Sequence, residues 1–232
     1  ILSLGEEKWR VNMVGFTAID LIKNNNFTAV NEVVNKYNIK RKTPVVLFTL
    51  HPLSTSISKT KKETDNAISA LNRVIRTFNA RCIVTYPNND TGSRYIIEKI
   101  NLLFKKNSTV TIHKSLGRKN YWGLLNLARS GYKVICVGNS SSGIKETTAF
   151  SCPTVNIGDR QKGRLAASNI SNAKADKKII FNQISRFITN DKIYNMAKKC
   201  NNPYGIGDAG KKIASILEKI ELNEKYLVKK NI

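Results

Sequence analysis

The chain has 232 residues, of which 41% are hydrophobic and 24% are charged, a composition that suits a globular protein with a sizeable core. No run of about 18 apolar residues occurs and the first residues lack a signal-peptide pattern, so the sequence predicts neither a membrane span nor export, and we expect a cytoplasmic protein. The net charge of +23 comes mostly from dispersed lysines without interleaved aromatic residues, which argues against a nucleic-acid partner.

Five apolar runs rich in β-branched residues predict buried strands at 44–50, 81–87, 108–113, 132–138 and 153–158. Helical patterns separate these runs. The apolar residues between 67 and 78 fall on one helical face, and shorter helices are predicted at 94–104, 121–130 and 144–150. Strands alternating with helices imply a parallel sheet with helices on both faces. The sequence therefore predicts a Rossmann-like, doubly wound α/β domain.

The two ends of the chain give weaker patterns. Residues 9–16 fit an additional strand and 18–37 fit broken helical turns, while helices are predicted at 176–189, 191–200 and 209–219. We divide the chain into an N-terminal segment (1–40), the sheet domain (41–220) and a charged C-terminal tail (221–232). Because Ile1 stands where a start methionine is expected, we expect a piece of a longer protein that lacks its first domain.

The cysteines and histidines are too few and too dispersed for a metal site. Four cysteines are far apart, and only His51 and His113 could join them, so we expect buried free thiols and no metal. No GxGxxG or Walker pattern occurs, which disfavours NAD and ATP sites of those types, and no cofactor is expected.

Each predicted strand runs directly into a polar cluster. The clusters are HPLSTS, NNDTGS, KSLGR, NSSSG and DRQKGR, in chain order. Ligands of open parallel sheets bind at the carboxyl ends of the strands, so these clusters should converge on one edge. The sequence therefore predicts a nucleotide or sugar-nucleotide site there.

Individual residues at this edge have ordinary explanations as well. Three consecutive serines, at 140–142, precede a predicted helix and could hold phosphate, although one of them could simply cap the helix. Glu146 lies one turn later and could accept hydrogen bonds from sugar hydroxyls. Arg160 and Arg164 could donate to phosphate, and His51 could be a proton donor or a cation for a leaving diphosphate, or only an exposed loop residue.

The order of these motifs resembles the hydrolysing UDP-N-acetylglucosamine 2-epimerases. The segments are TLHPLSTS, TYPNNDTGS, SLGR, GNSSSGIKETTAF with PTVNIGDRQKGR, and NPYGIGDAG, and together they extend over nearly the whole chain. The resemblance implies two Rossmann-like domains of the glycosyltransferase-B type, with UDP bound mainly by the second. This chain resembles that second, C-terminal half.

The resemblance also implies a reaction and a set of residues. UDP is eliminated from UDP-N-acetylglucosamine, and water adds to the glycal with inversion at C2, which gives N-acetylmannosamine for sialic-acid-type sugars. The catalytic carboxylates belong mostly to the absent first domain, so this chain alone is expected to be inactive, and the full enzyme is expected to be a homo-oligomer. The implied residues are His51 at the diphosphate in a catalytic role, Asn88 and Ser115 at the nucleotide cleft, Ser140 and Ser141 on phosphate, Glu146 on the ribose, and Arg160 at the uridine diphosphate.

Two other functions stay open at this point. A glycosyltransferase could have the same architecture, because a fold does not fix a reaction. A non-catalytic binding module that uses the basic charge is the second alternative.

Overall fold

The computed structural model describes residues 1–228 and contains one six-stranded sheet whose strands are all parallel. The strands are β1 (Val45–Thr49), β2 (Arg81–Thr85), β3 (Val110–His113), β4 (Val134–Gly138), β5 (Thr154–Ile157) and β6 (Ile170–Ala173). The α-helices are α1 (Ala18–Lys23), α2 (Val30–Lys36), α3 (Ile57–Phe78), α4 (Ser93–Phe104), α5 (Gly117–Asn126), α6 (Ser142–Lys145), α7 (Lys177–Thr189), α8 (Asp191–Lys198), α9 (Ala209–Leu217) and α10 (Glu224–Leu227).

The strand order across the sheet is β3-β2-β1-β4-β5-β6. Strands β2 and β3 thus follow β1 in order toward one edge of the sheet. The chain then crosses back, so that β4 lies on the other side of β1, and β5 and β6 follow in order toward the opposite edge. The point where this direction reverses lies between β1 and β4, which is where an open α/β sheet leaves a crevice for ligands. The predicted doubly wound, Rossmann-like fold is confirmed, and so are the five predicted strands.

Helices cover both faces of the sheet. Neighbouring helices α4, α3 and α7 form one layer, and α2 packs beside α5 in the other. Strand β4 shows why both faces must be covered, because all five of its residues are buried. Apolar side chains of alternate strand positions pack with α3 and α7 in one large core, which includes Val46, Phe48, Leu71 and Ile184.

The structure corrects three details of the sequence prediction. Strand β6 was not predicted, because it lies at the sheet edge and only Ala173 in it is buried. The predicted strand at 9–16 is wrong, since a 3₁₀ turn at Lys8–Arg10 and irregular backbone occupy that segment. The predicted helix at 144–150 is two pieces, α6 and a 3₁₀ turn at Thr147–Phe150, where the Thr147 hydroxyl donates to the carbonyl of Gly143 at 2.7 Å.

The chain divides into two compact units. One is Phe27–Pro203 with the sheet, and the other combines Ile1–Asn26 with the segment from Tyr204 onward. In the second unit the Asp20 carboxylate accepts hydrogen bonds from the backbone N–H groups of Ala209 and Gly210, at 3.1 and 2.7 Å, and so caps α9. The division into 1–40, 41–220 and 221–232 stays a prediction about domains, and the end of its tail, 229–232, lies outside the described residues.

Within residues 1–228 no helix has both the length and the apolar content needed to cross a membrane. Over the same residues, no group of three or more His, Cys, Asp or Glu side chains is placed to hold a metal ion. Cys82, Cys136 and Cys152 are buried free thiols, and Cys200 is half-buried.

Candidate functional site

The site begins where β1 and β4 end side by side. Gly138, the last residue of β4, has a φ of 139°, and a Cβ atom there would overlap the carbonyl oxygen of Thr49 at the end of β1. Only glycine therefore allows the two strand ends to come this close. The approach places the residues that follow them, Asn139 and His51, in direct contact.

Asn139 ties together three of the loops at this edge. Its side-chain Oδ1 accepts from the backbone N–H of His51 at 2.7 Å, and its Nδ2 donates to the carbonyl of His51 at 2.9 Å. The Asn139 carbonyl accepts from Gln161 Nε2 at 2.8 Å and from Arg160 Nη1 at 3.3 Å. Since Asn139 is only 1% exposed, these bonds are shielded from water and fix the loop after β1 and the loop after β5 to the end of β4.

His51 is joined to the loop after β2 as well. Its ring Nδ1 accepts a hydrogen bond from the backbone N–H of Asn88 at 3.0 Å, which leaves the proton of the neutral ring on Nε2. Burial, and then the positive charge of Arg160, lower the pKa of His51, against smaller opposing effects of the Asn88 side chain and the Asp90 charge. The imidazole is therefore neutral at neutral pH and carries its proton on Nε2.

Two side-chain oxygens in this cluster are buried and lack a hydrogen-bond partner among the described residues. They are Asn88 Oδ1 and Gln161 Oε1. The Asn88 amide nitrogen, by contrast, donates to the Asp90 carboxylate. Buried polar atoms normally find a partner, so these two acceptors are suited to a donor from outside the chain or to water.

The serines lie in a turn that we call the serine turn, residues 139–146. Ser141 precedes α6 but its side chain makes no capping hydrogen bond, so a helix cap does not explain it. Ser140 Oγ and Ser142 Oγ are 3.0 Å apart and hydrogen-bonded. The backbone N–H groups of Ser140 and Ser141 have no partner in the part of the chain that the structure describes, which makes them available to an anion.

Glu146 closes the serine turn and is half-buried. Its Oε2 accepts a hydrogen bond from the indole Nε1 of Trp122 at 2.5 Å. Burial raises the pKa of the Glu146 carboxyl, while the Trp122 hydrogen bond and the Lys145 charge act in the opposite direction. The carboxylate is thus held in one orientation by a residue of α5.

Direct contacts connect Asn88, His51 and Arg160 through Asn139, and Ser140, Ser141 and Glu146 follow Asn139 in the serine turn. The structure does not bring Ser115 into this cluster. Ser115 is exposed after β3 at the sheet edge, and its hydroxyl accepts from the backbone N–H of Gly117 at 3.1 Å. Arg164 is exposed too.

Sequence reasoning assigned no role to Asn139, Gln161 or Trp122. The first two belong to polar clusters that the sequence does place at the strand ends, so a search for buried polar residues directly after strands could have found them. Trp122 gives no such signal, because an aromatic residue in an amphipathic helix is ordinarily part of a core.

Comparison with known proteins identifies the family. The model of the UDP-N-acetylglucosamine 2-epimerase family matches residues 1–218. The chain belongs to this family. The predicted resemblance to this family is therefore confirmed.

Individual relatives agree with this assignment. The GDP/UDP-N,N′-diacetylbacillosamine 2-epimerase (hydrolyzing) of Campylobacter jejuni is 36% identical over 171 residues, which are 73% of this chain and 42% of that protein. The UDP-N,N′-diacetylbacillosamine 2-epimerase (hydrolyzing) of Legionella pneumophila is 28% identical over 100% of this chain and 57% of its own length. This chain spans about half the length of the curated relatives it matches.

A solved structure shows the same fold. The Neisseria meningitidis UDP-GlcNAc 2-epimerase, bound to UDP-GlcNAc, superposes with a TM-score of 0.76 at 18% identity, over 94% of this chain and 58% of that one. The predicted glycosyltransferase-B-type architecture of this half is thereby confirmed.

Proposed function

We propose that this chain is the UDP-binding half of a hydrolysing UDP-sugar 2-epimerase. The observation that carries the proposal is the hydrogen-bonded cluster at the reversal point of the sheet. There Asn139 joins His51 to Arg160, directly beside a turn in which two backbone N–H groups have no partner among residues 1–228. Backbone N–H groups, a guanidinium and small hydroxyls are the donors that phosphate oxygens require.

Each residue has a role in this proposal. Ser140 and Ser141 bind phosphate oxygens, and Arg160 offsets the diphosphate charge. Glu146 accepts hydrogen bonds from the ribose hydroxyls, and Asn88 lines the nucleotide cleft through its buried Oδ1. We also assign Ser115 to the nucleotide cleft, although it follows the edge strand β3 and lies outside the hydrogen-bonded cluster.

His51 acts on the leaving group. Its neutral ring donates from Nε2 to a diphosphate oxygen whose negative charge grows as the sugar bond breaks, so the interaction is stronger in the transition state than in the ground state. Because the pKa of His51 is lowered, a role as a neutral hydrogen-bond donor fits better than a role as a cation, which is the other role that the sequence allows.

In the proposed reaction a base removes the proton from C2 of the sugar nucleotide and the bond from C1 to the UDP oxygen breaks, which gives a glycal and UDP; water then adds to the glycal at C1. The proton returns to C2 from the opposite face, and the products are UDP and the free 2-epimer. Carboxylates of a preceding half would exchange the carbon-bound proton, so we expect this chain alone to bind UDP without turning over the substrate. The complete enzyme is expected to be a homo-oligomer.

The sugar has two candidates. UDP-N-acetylglucosamine, with N-acetylmannosamine as product, follows from the family description. UDP-N,N′-diacetylbacillosamine is favoured by the names of the Campylobacter and Legionella relatives. A protein that carries this chain with its preceding half should release one free 2-epimer from one of these two substrates, and the product identifies the sugar.

The nucleotide role is tested by calorimetric titration of this chain with UDP, with UMP and ADP as matched ligands. We expect selective UDP binding that weakens only modestly between 50 and 200 mM salt, because only a few charges of the protein would contact the diphosphate and be screened by salt. Equal and steeply salt-sensitive binding of all three ligands would instead indicate a general anion-binding surface and refute the proposal. Transfer of the sugar to an added acceptor by the complete protein would favour a glycosyltransferase.

Glu146→Gln tests the ribose contact. The change keeps the shape and removes the charge, so UDP affinity should fall by roughly 1–3 kcal/mol if the carboxylate binds ribose hydroxyls. Glu98→Gln, on an exposed position of α4, is the matched control for loss of one negative charge. Equal UDP affinity of both variants would rule out the ribose role.

A further inference from the structure

Helix α5 is fixed in place by close packing against the segment that leads into α2. Gly123 has no room for a side chain, since a Cβ atom would lie 2.6 Å from the carbonyl oxygen of Thr28 and 2.7 Å from a methyl group of Val33. The backbone N–H of Thr28 also donates to the carbonyl of Lys119 at 3.2 Å. The residues between these anchors therefore have little freedom to move.

Tyr121 extends from α5 to the beginning of the serine turn. Its Oη lies 3.0 Å from Ser142 Oγ, which is in turn 3.0 Å from Ser140 Oγ. Cys136 Sγ also lies 3.5 Å from the same Oη. The three hydroxyls thus form one chain of hydrogen bonds, and the position of the Ser140 hydroxyl depends on the Tyr121 hydroxyl two links away.

Trp122, the next residue, extends to the end of the same turn. It is 2% exposed, its ring packs 6.4 Å from that of Phe150, and the Arg118 guanidinium lies 4.8 Å above it. Its Nε1 donates to Glu146 Oε2. Because the indole is buried and packed against Phe150 and Arg118, its orientation is fixed, and the carboxylate that it binds is oriented with it.

We infer that Tyr121 and Trp122 are positioning residues that set the two halves of the nucleotide site separately, Tyr121 for the diphosphate and Trp122 for the ribose. The inference rests on the proposed function, since it assigns the serines to phosphate and Glu146 to ribose. Two neighbouring residues of one rigid helix hold the two ends of the turn, which keeps the phosphate and ribose subsites at a fixed separation. Neither residue needs to touch the nucleotide.

Two variants that each remove one hydrogen-bond donor test this. Trp122→Phe should reduce the preference for UDP over 2′,3′-dideoxy-UDP by about threefold to tenfold, the effect of one hydrogen bond, and leave binding of the dideoxy nucleotide nearly unchanged. Tyr121→Phe should leave that preference intact and reduce the preference for UDP over UMP instead. Trp9→Phe in the other compact unit and Tyr95→Phe on α4 are the matched controls.

General structural damage by either substitution would affect the nucleotide affinities differently from the loss of a positioning contact. A variant that weakens all three nucleotides equally, or changes neither preference, overturns the inference, because a positioning role requires each change to affect one subsite. Absence of UDP binding by the unmodified chain would overturn the proposed function, and the nucleotide role of both residues with it.

The contact itself has an independent readout. The chain contains two tryptophans, Trp9 and Trp122, so its NMR spectrum has two indole N–H signals. Glu146→Gln should move the Trp122 signal upfield, because a neutral amide accepts more weakly than a carboxylate, and leave that of Trp9 in place. An unmoved Trp122 signal would refute the contact regardless of nucleotide binding.

Discussion

Replacing Asn139 by alanine tests whether the cluster at the strand ends depends on one buried amide. The change removes two hydrogen bonds, from His51 N–H and to His51 C=O, that are made by a side chain only 1% exposed, and it leaves both backbone groups of His51 without these partners. Each unsatisfied buried group costs about 1–3 kcal/mol, so unfolding free energy should fall by roughly 2–6 kcal/mol. That is a large part of the ~5–15 kcal/mol that a domain has in total.

The assay is urea unfolding of the unmodified chain and of the Asn139→Ala variant, followed by UDP titration of the variant under conditions where it is folded. We expect UDP affinity to fall as well, because the loop carrying His51 loses its attachment to the serine turn. Asn66→Ala is the matched control, since Asn66 Nδ2 makes a single bond, to the carbonyl of Ala175 at 2.9 Å. The reasoning fails if Asn139→Ala costs no more stability than Asn66→Ala and binds UDP as the unmodified chain does.

Three further changes have definite expected outcomes. Gly138→Ala should destabilise the chain by roughly 2–5 kcal/mol in urea unfolding, because the new methyl group overlaps the Thr49 carbonyl in a backbone conformation that disfavours side chains; an unfolding midpoint like that of the unmodified chain would contradict this. Glu63→Gln should stabilise the chain at pH 7.5, because burial raises the pKa of the Glu63 carboxyl and ionising it in the folded chain therefore costs stability. This cost is fully present above the raised pKa of the folded state and disappears as the pH falls below the ordinary pKa of 4.5. A thermal shift independent of pH would refute this cause. His51→Ala in a complete enzyme should lower kcat by about 100-fold or more with a smaller effect on UDP affinity; a change confined to affinity would assign His51 to binding alone.

The sheet could be predicted from sequence because its central strands are buried on both faces and therefore read as uninterrupted apolar runs. Strand β4, with all residues buried, gives the clearest such pattern. Strand β6 does not, because Ser171 and Asn172 are polar and only Ala173 is buried at the edge of the sheet. Its pairing with β5 is a backbone interaction that side-chain hydrophobicity does not encode.

The position of the candidate site followed from the same pattern, because polar residues after parallel strands must meet at one edge. Its internal contacts did not follow. The bonds between Asn139 and His51 join residues 88 positions apart and exist only because β4 lies beside β1. The contact of Trp122 with Glu146 likewise requires the packing of α5 next to the serine turn, which no local sequence pattern specifies.

Burial separates two kinds of residue in this cluster. Asn139, Gln161 and Trp122 are 1%, 5% and 2% exposed, and their hydrogen bonds go to other parts of the chain. His51 and Glu146 are half-buried and keep part of their surface for a ligand. Substitutions of the first kind should therefore lower stability and affinity together, whereas Glu146→Gln should lower affinity with little loss of stability, because its buried partner Trp122 can still donate to the amide oxygen.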